Sequence, residues 1–261
     1  MILGLWRYRW FILKNALSEL RYRYAGSALG VLWNVVNPLA QIVVYTLVFS
    51  NIMAPRLGAG STPVGFTLYL CSGIFPWVAF SECVARGANA FVENASYLKK
   101  LPIPEQVFVA QNAVSATLGL AISMSLLFVL TVGAAGGLSV TWIGVPAALL
   151  LFQAFGFGIG LLLSTLNAFL RDVGQTVGVG LHLWMWATPI VYVEDILPAK
   201  LQVLLQYNPA YPFIEALHRM IVSREWPLAG TWVLMLAWAS AAPLVGYLVL
   251  RAGRVEIRDV I

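Results

Sequence analysis

The most constraining feature of this chain is a stretch of 65 residues between Glu105 and Arg171 that contains no Asp, Glu, Lys or Arg. About one residue in four is charged in a soluble domain, so a soluble fold does not accommodate a stretch of this length. The hydrocarbon core of a bilayer takes about 20 apolar residues per helix, which leaves room here for two membrane-spanning helices. The sequence GAAGG at 133–137 predicts the turn between them. We therefore expect an integral membrane protein.

Further stretches without charged residues are each long enough for one more crossing, and they lie at 24–55, 57–81, 173–193 and 226–250. The predicted total is six membrane-spanning helices. A charge at the centre of such a helix costs about 2.5–3.5 kcal/mol, so the 16 basic and 11 acidic residues mark helix ends and loops. Hydrophobic residues make up 60% of the chain and the mean hydropathy is +0.82. The predicted fold is all-α, with one transmembrane domain over 1–261.

The basic residues are distributed unevenly between the two predicted sides of the membrane. Arg56, Lys200, Arg219 and Arg224 fall on one side, and the other 12 Lys and Arg residues fall on the opposite side. Cytoplasmic loops carry an excess of Lys and Arg, so both termini are predicted to be cytoplasmic. The net charge of +5 is explained by this sidedness, and no nucleic-acid partner is expected. Neither cysteine belongs to a metal-binding motif, and both are interpreted as packing residues.

Residues 1–24 predict an amphipathic helix at the membrane surface. Large apolar side chains recur at steps of three and four residues, and Arg7, Lys14 and Arg21 flank them. This pattern is typical of a helix that lies in the plane of the membrane, although it also fits a simple basic anchor on the cytoplasmic side. The apolar positions are Trp6, Trp10, Leu13, Leu17, Leu20 and Tyr24.

Residues 194–225 form the longest predicted outer segment, which is interrupted by Pro198, Asn208, Pro209 and Pro212. The piece 210–223 would be about 21 Å long as a helix, which is too short to cross a bilayer. It is expected to enter the membrane and return, or to lie flat. Broken backbone at this depth requires protein or a water-filled cavity around it, so this segment predicts a channel mouth.

Glu82 and Arg86 stand four residues apart near the end of the second predicted span. This spacing places the two side chains on one helical face. A local ion pair is predicted where the helix leaves the membrane.

Several segments, in this order and at these spacings, resemble the membrane subunit of bacterial polysaccharide exporters, a group within the type-two ATP-binding-cassette exporters. The likeness is strongest to permeases that export O-antigen chains on an undecaprenyl lipid, and it covers almost the whole chain. The segments are RYRYAGSALGVLWNVVNPL at 21–39, NASYLKKLPIP at 94–104, FLRDVGQ at 169–175 and TPIVYVEDILPAKLQVLLQYNPAYPFIEALHRMI at 188–221.

The resemblance implies a homodimer in the bacterial inner membrane, with a channel between the protomers and two copies of a separate ATPase. The chain would not be an enzyme and would bind no cofactor, because ATP and Mg²⁺ would be handled by the partner. The sequence agrees, since it lacks the phosphate-binding motif Gly-x-x-x-x-Gly-Lys-Ser/Thr. The resemblance further implies an interface helix at 1–24, a coupling loop at 93–105 and a gate at 194–225. The implied coupling residues are Asn94, Tyr97, Lys99, Lys100, Arg171 and Asp172, and the gate residues are Asn208 and Pro209.

A long glycan has many hydroxyl groups and no fixed charge pattern, so its channel should offer weak and repeated contacts. Aromatic rings can pack on the apolar face of a sugar and keep a polar edge in water. Tyr45, Phe49, Trp184 and Trp186 are therefore predicted to line the channel. Aromatic residues also gather at membrane interfaces for reasons unrelated to function, and that alternative stays open.

Other functions are weighed against this prediction. A capsule, teichoic-acid or small-molecule exporter of the same superfamily would have the same sequence features. An ion-coupled transporter is disfavoured because coupling ions bind ionisable groups within spans, and His182 is the one imidazole in a predicted span. An intramembrane enzyme would need clustered acids, histidines or an activated nucleophile, and the predicted spans contain no such cluster.

Overall fold

The computed structural model describes residues 1–53, 63–134 and 139–260, and all regular elements in these ranges are helical, as predicted. Arg56 and most of the predicted turn at 133–137 lie outside the described residues. The helices are α1 Ile2–Arg7, α2 Arg9–Tyr22, α3 Trp33–Met53, α4 Pro63–Glu93, α5 Ala95–Lys100, α6 Gln106–Ala134, α7 Val145–Phe169, α8 Asp172–Trp186, α9 Ala199–Leu205, α10 Tyr211–His218 and α11 Ala229–Val260. A π-helical turn, Arg219–Ser223, extends α10.

Five helical stretches in the described residues are long and apolar enough to cross a membrane, at 30–47, 65–93, 106–133, 140–169 and 229–254. The remaining predicted crossing, at 173–193, is occupied by α8, which has 15 residues. A helix of this length spans about 22 Å. The helix ends before Pro189, which has no backbone N–H and disfavours helical geometry in the preceding residue.

Helix α7 lies between α4 and α11, and its contacts with these two helices are the most extensive in the bundle. Glycine allows the backbones to approach closely. A Cβ atom at Gly160 would lie 3.3 Å from the Cα of Gly87 on α4, and one at Gly158 would lie 2.2 Å from the Pro243 nitrogen on α11. Small residues of this kind are typical of helix contacts in membranes, where close packing replaces the hydrophobic effect.

The larger hydrophobic core contains a stack of aromatic rings that joins α4, α7 and α10. The Phe80 and Phe152 rings are parallel, with centroids 4.4 Å apart. Phe213 of α10 adds to the stack, with its centroid 5.0 Å from that of Phe152 and 5.5 Å from that of Phe155. This stack fixes α10 against the helices that cross the membrane. Cys71 and Cys83 are both buried and free, which confirms their interpretation as packing residues.

A second buried cluster joins elements at the opposite end of the bundle. It includes Ile12 of α2, Leu98 of α5, Val107 of α6, Leu161 of α7 and Ile257 of α11. The short helix α5 is therefore held by apolar contacts to the helices around it.

The N-terminal region forms two helices with a break at Tyr8, where one continuous helix was predicted. Trp6, Trp10 and Leu17 are exposed, which agrees with the predicted surface stripe. Leu20 differs, because it is buried together with Ile12 and Ala16. The predicted stripe therefore continues into the face of α2 that packs on the bundle.

Both chain ends lie at the same end of the bundle, where they meet the connection between α5 and α6. The Tyr8 hydroxyl donates to the Pro102 carbonyl at 3.3 Å, and Arg254 of α11 pairs with Glu105 at 2.9 Å. At the opposite end of the bundle, just before the start of α7, the Thr141 hydroxyl donates to the Met220 carbonyl at 2.8 Å.

Replacing Gly158 with Ala is expected to destabilise the protein, because the new Cβ would force α7 and α11 apart. Overpacking of this kind costs about 1–3 kcal/mol and should lower the melting temperature of the detergent-solubilised protein. Gly119→Ala on α6 is the matched control, since within the described part of the chain no atom beyond its own stretch of α6 lies within 4 Å of its Cβ position and Ala favours a helix. Equal melting temperatures for the two variants would contradict the close contact.

Candidate functional site

Asn208 joins the end of α8 to the turn between α9 and α10. Its side-chain oxygen accepts hydrogen bonds from Trp184 Nε1 at 2.8 Å and from the Ala210 backbone N–H at 3.0 Å. Its amide nitrogen donates to the Ala187 carbonyl at 3.2 Å and to the Thr188 hydroxyl at 2.9 Å. Because the amide oxygen accepts two hydrogen bonds and the amide nitrogen donates two, the side chain is held in one orientation. Asn208 therefore fixes the outer segment relative to α8.

Trp184 lies on the aromatic core. Its ring meets the Trp77, Phe80 and Phe155 rings edge to face, with centroid distances of 5.8, 5.7 and 6.2 Å. This geometry is favoured by the charge distribution of aromatic rings. The polar edge of Trp184 is satisfied by Asn208, so the residue connects the membrane core to the outer segment.

Trp186 is exposed and lines a cleft of about 590 Å³. Its indole N–H donates to His182 Nε2 at 3.3 Å. The cleft is largely apolar, and all of its lining residues come from 184–209. Besides Trp184 and Trp186, they are Ala187, Tyr192, Leu197, Leu201, Leu204, Leu205, Tyr207, Asn208 and Pro209. Two of the predicted lining residues and both predicted gate residues thus share one cleft.

The structure does not place the other two predicted lining residues in this cleft. Tyr45 of α3 is half-buried and packs against the larger hydrophobic core. The side chain of Phe49 lies outside the described residues.

The loop after α8 is tied to α4 by Tyr69. Its hydroxyl lies within hydrogen-bonding distance of the Tyr192 carbonyl at 2.8 Å and the Pro189 carbonyl at 3.3 Å, and its ring stacks on His218 with centroids 4.0 Å apart. Nearby, Tyr211 donates to the Glu194 carboxylate. Burial, and then this hydrogen bond to a negative group, raise the pKa of Tyr211 above its usual value. The outer segment is therefore anchored on several sides.

At the opposite end, α5 exposes its predicted coupling residues. Tyr97, Lys99 and Lys100 are exposed, while Leu98 between them is fully buried. Asn94 donates to the Ala90 carbonyl at 2.9 Å and so bonds to the last turn of α4. Helix α5 is therefore anchored through one apolar side chain, and its two lysines are exposed on the protein surface.

The α7–α8 turn lies near the same end of α4. The Asn167 amide donates to the Ala88 carbonyl at 3.0 Å and to Asn89 Oδ1 at 3.1 Å, and its oxygen accepts from the Gly174 N–H at 2.9 Å. Arg171 and Asp172, between these anchored points, are exposed. The two sets of predicted coupling residues are thus exposed at one end of the bundle.

The predicted ion pair between Glu82 and Arg86 is confirmed at 3.0 Å, but it belongs to a larger network. Glu19 of α2 pairs with Arg86, and Arg23 pairs with Glu82. Glu19 also accepts from the Ser115 hydroxyl at 3.0 Å. The network therefore ties α2 to α4 and α6, and it was missed because its members are up to 96 residues apart.

Burial alone would raise the pKa of the Glu19 carboxyl. The hydrogen bond and charge of Arg86 act in the opposite direction, with help from Ser115 and Arg23, and the net effect lowers the pKa below its usual value. Glu19 therefore remains ionised in the folded protein at neutral pH.

The described residues contain no group of three or more His, Cys, Asp or Glu side chains that could hold a metal ion. Asn167 and Asn208, both polar residues next to predicted helix ends, turn out to be the main anchors. The position of Asn208 directly before Pro209 is a sequence signal for its role, because Asn residues fix turns through side-chain hydrogen bonds. Asn167 has no adjacent Pro or Gly, and its role is visible only in the structure.

The sequence profile of the family described as ABC-2 type transporter matches residues 13–222. The O-antigen export system permease protein RfbA of Klebsiella pneumoniae is 32% identical over 194 residues, which are 74% of this chain and 72% of the relative.

Two more distant relatives are also similar to this chain. The O-antigen export system permease protein RfbA of Myxococcus xanthus is 28% identical over 255 residues, which are 93% of this chain and 94% of the relative. The polysialic acid transport protein KpsM of Escherichia coli is 23% identical over 208 residues, 76% of each chain.

Replacing Glu19 with Gln is expected to lower the melting temperature at pH 7, because Arg86 and Arg23 lose a charged partner worth about 1–3 kcal/mol. A lowered pKa contributes stability that is present above the unfolded-state value and is lost as the pH falls through the folded-state value. As the pH falls below 4.5, the ordinary pKa of a Glu carboxyl, Glu19→Gln should therefore lose less stability than the wild type. Melting curves from pH 7 to pH 3 measure both effects.

The exposed carboxylate of Glu256 provides the control for this experiment. Glu256→Gln should leave both the melting temperature and its pH dependence unchanged. An identical pH dependence for Glu19→Gln and the wild type would contradict the assignment of Glu19 to the network.

Proposed function

Because this chain belongs to the ABC-2 type transporter family, we propose that it is the membrane subunit of an exporter for lipid-linked polysaccharide of the O-antigen type. The observation that carries this proposal is the alignment of 93% of the chain with an O-antigen export permease. The proposed location is the bacterial inner membrane, with both termini in the cytoplasm. Similarity to a polysialic acid transport protein supports a polysaccharide cargo and keeps capsule export as an alternative.

The proposed topology has six crossings, the sixth being made by α8 together with the residues that follow it. Several contacts support this. Helix α8 begins beside the end of α7, and Met220 meets Thr141 just before the start of α7. The chain therefore passes from one end of α7 to the other between these points. An even number of crossings also agrees with the position of both chain ends at one end of the bundle.

The proposed channel lies between two copies of the chain, with the cleft at 184–209 facing it. Large apolar side chains are exposed on α8 and α9, among them Leu183, Trp186 and Leu204. An apolar, aromatic wall can contact successive sugars without selecting one sequence. In this proposal α9 and α10 form a gate at the outer mouth, and Asn208 sets the position of the gate relative to α8.

Energy is proposed to come from two copies of a separate ATPase, which would hold ATP and Mg²⁺. The exposed Lys99 and Lys100 on α5 and the exposed turn at Arg171 support a contact at this end, because basic side chains complement an acidic protein surface. Asn94, Tyr97 and Asp172 belong to the same proposed contact. This chain is not proposed to hydrolyse ATP.

Deletion of the gene in its host is expected to cause accumulation of lipid-linked polymer inside the cell and its loss from the surface. Both pools can be measured by gel electrophoresis of extracted lipid-linked glycans and by labelling intact cells. Re-expression of the wild-type chain should restore surface polymer. Unchanged surface polysaccharide in the deletion strain would show that the cargo is a different one.

Charge reversal on α5 is expected to weaken binding of the ATPase. Lys99→Glu combined with Lys100→Glu places two negative charges where the proposed contact is complementary, and co-purification of the ATPase should fall by at least about tenfold. Because both side chains are exposed, the melting temperature of the chain should not change.

Lys200→Glu is the control for the charge reversal. This residue is also exposed but lies on α9, in the outer segment, and its replacement should leave co-purification intact. Full assembly of the Lys99 and Lys100 double variant would count against α5 as the coupling element.

A further inference from the structure

The connection between α5 and α6, residues 101–105, is held from two sides by the two ends of the chain. On one side, the Tyr8 hydroxyl bonds to the Pro102 carbonyl at 3.3 Å, and Gly4 lies against Pro104. On the other side, Arg254 of α11 forms an ion pair with Glu105. A loop that only joined two helices would not require polar contacts to both termini.

Glu105 is completely buried, although it is an acidic residue at the start of α6. Charged side chains are almost never fully buried unless they are paired. One partner, Arg254, lies 2.9 Å away, and half of its side chain is exposed. The pair therefore joins a buried anion in the connection to a cation that reaches in from the last helix.

The connection itself is stiff. Pro102 and Pro104 fix two of its backbone angles, and Ile103 between them is buried in the cluster that also contains Leu98 and Ile257. A displacement of α5 is therefore poorly absorbed within residues 101–105. It reaches Glu105 and, through the ion pair, α11.

We propose that the ion pair between Glu105 and Arg254 is the positioning contact that couples movement of α5 to α11. This inference rests on the proposed function, in which a separate ATPase moves α5. Helix α11 then acts on α7, because the two helices meet through Gly158 and Gly246 with almost no space between their backbones. Arg254 is a positioning residue in this mechanism and does not contact the transported polymer.

A simpler role for Glu105 is to stabilise α6, since a negative charge is favourable at a helix N-terminus. The two roles differ in what Arg254 contributes. If Glu105 only stabilises α6, removing the half-exposed Arg254 leaves export intact. If the pair couples α5 to α11, the loss of either partner impairs export in an assembled complex.

The experiment uses Arg254→Gln, Glu105→Gln and the double variant in the full complex with the ATPase. Export is measured as surface polymer per copy of complex in a deletion strain, and ATP hydrolysis is measured on the purified complex in lipid nanodiscs. Each single variant is expected to assemble and hydrolyse ATP but to lose about tenfold in export, a typical size for coupling energies. Partners that act as a unit are non-additive, so the double variant should lose no more than either single variant.

Arg251→Gln is the matched control, because Arg251 lies one turn earlier on α11, is exposed, and has no carboxylate within 4.0 Å among the described residues. It should export normally, and Arg254→Lys should retain most of the export. Should Glu105→Gln fail to fold, Arg254→Gln decides the question alone. Normal export by Arg254→Gln, or additive losses in the double variant, would overturn the ion-pair proposal.

The wild-type chain in the same assay separates the two proposals. If wild-type chain fails to restore surface polymer, the proposed function is wrong. If wild-type chain restores it and Arg254→Gln restores it equally well, the cargo assignment stands and only the coupling contact is wrong.

Discussion

The close packing of α7 between α4 and α11 is the contact on which the rest of the structure depends. Lipid is as apolar as leucine, so apolar surface alone does not bring helices together in a membrane. The glycines at 87, 158, 160 and 246 allow backbones to meet instead. With α7 held in this way, Phe152 and Phe155 form a rigid surface on which Phe213 and Trp184 pack. The outer segment is thereby positioned by the membrane core.

Polar contacts then determine where the ends of the helices lie. An unpaired polar group is costly where water is absent. A polar side chain whose hydrogen-bonding partners come from two elements therefore holds those elements in one arrangement. Asn208 does this at the C-terminal end of α8, and Asn167 does it at the start of the same helix. Glu19 extends the principle to α2, whose exposed Trp10 suits the membrane surface while Glu19 is held by Arg86.

Much of the fold could be predicted from local sequence, and the long-range contacts could not. Charge-free stretches predicted the five long apolar helices of the described residues, while the sixth predicted span holds the shorter α8. The i, i+4 spacing predicted the pair of Glu82 and Arg86. A short helix before the last span was also expected and is present at 211–223. The early end of α8 has a local cause in Pro189. The entry of Glu19 into the ion-pair network depends instead on tertiary packing, since its partner Arg86 is far away in the sequence. Tyr45 and Trp184 were both predicted to line the channel because both are aromatic. The structure places Trp184 in the cleft and Tyr45 against the larger hydrophobic core.

Helix α4 connects the two ends of the molecule at which function is proposed. Near its start, Tyr69 holds the loop that follows α8, and at its end Asn94 leads directly into α5. Between them, Pro76 lies inside the helix and removes one backbone hydrogen bond. A helix bends most easily at such a position. In the proposed mechanism, a force on α5 is transmitted to the loop that follows α8 through this helix. The proposed coupling through the ion pair to α11 gives the same force a second route, and both routes lead to α7, which packs on α4 and on α11.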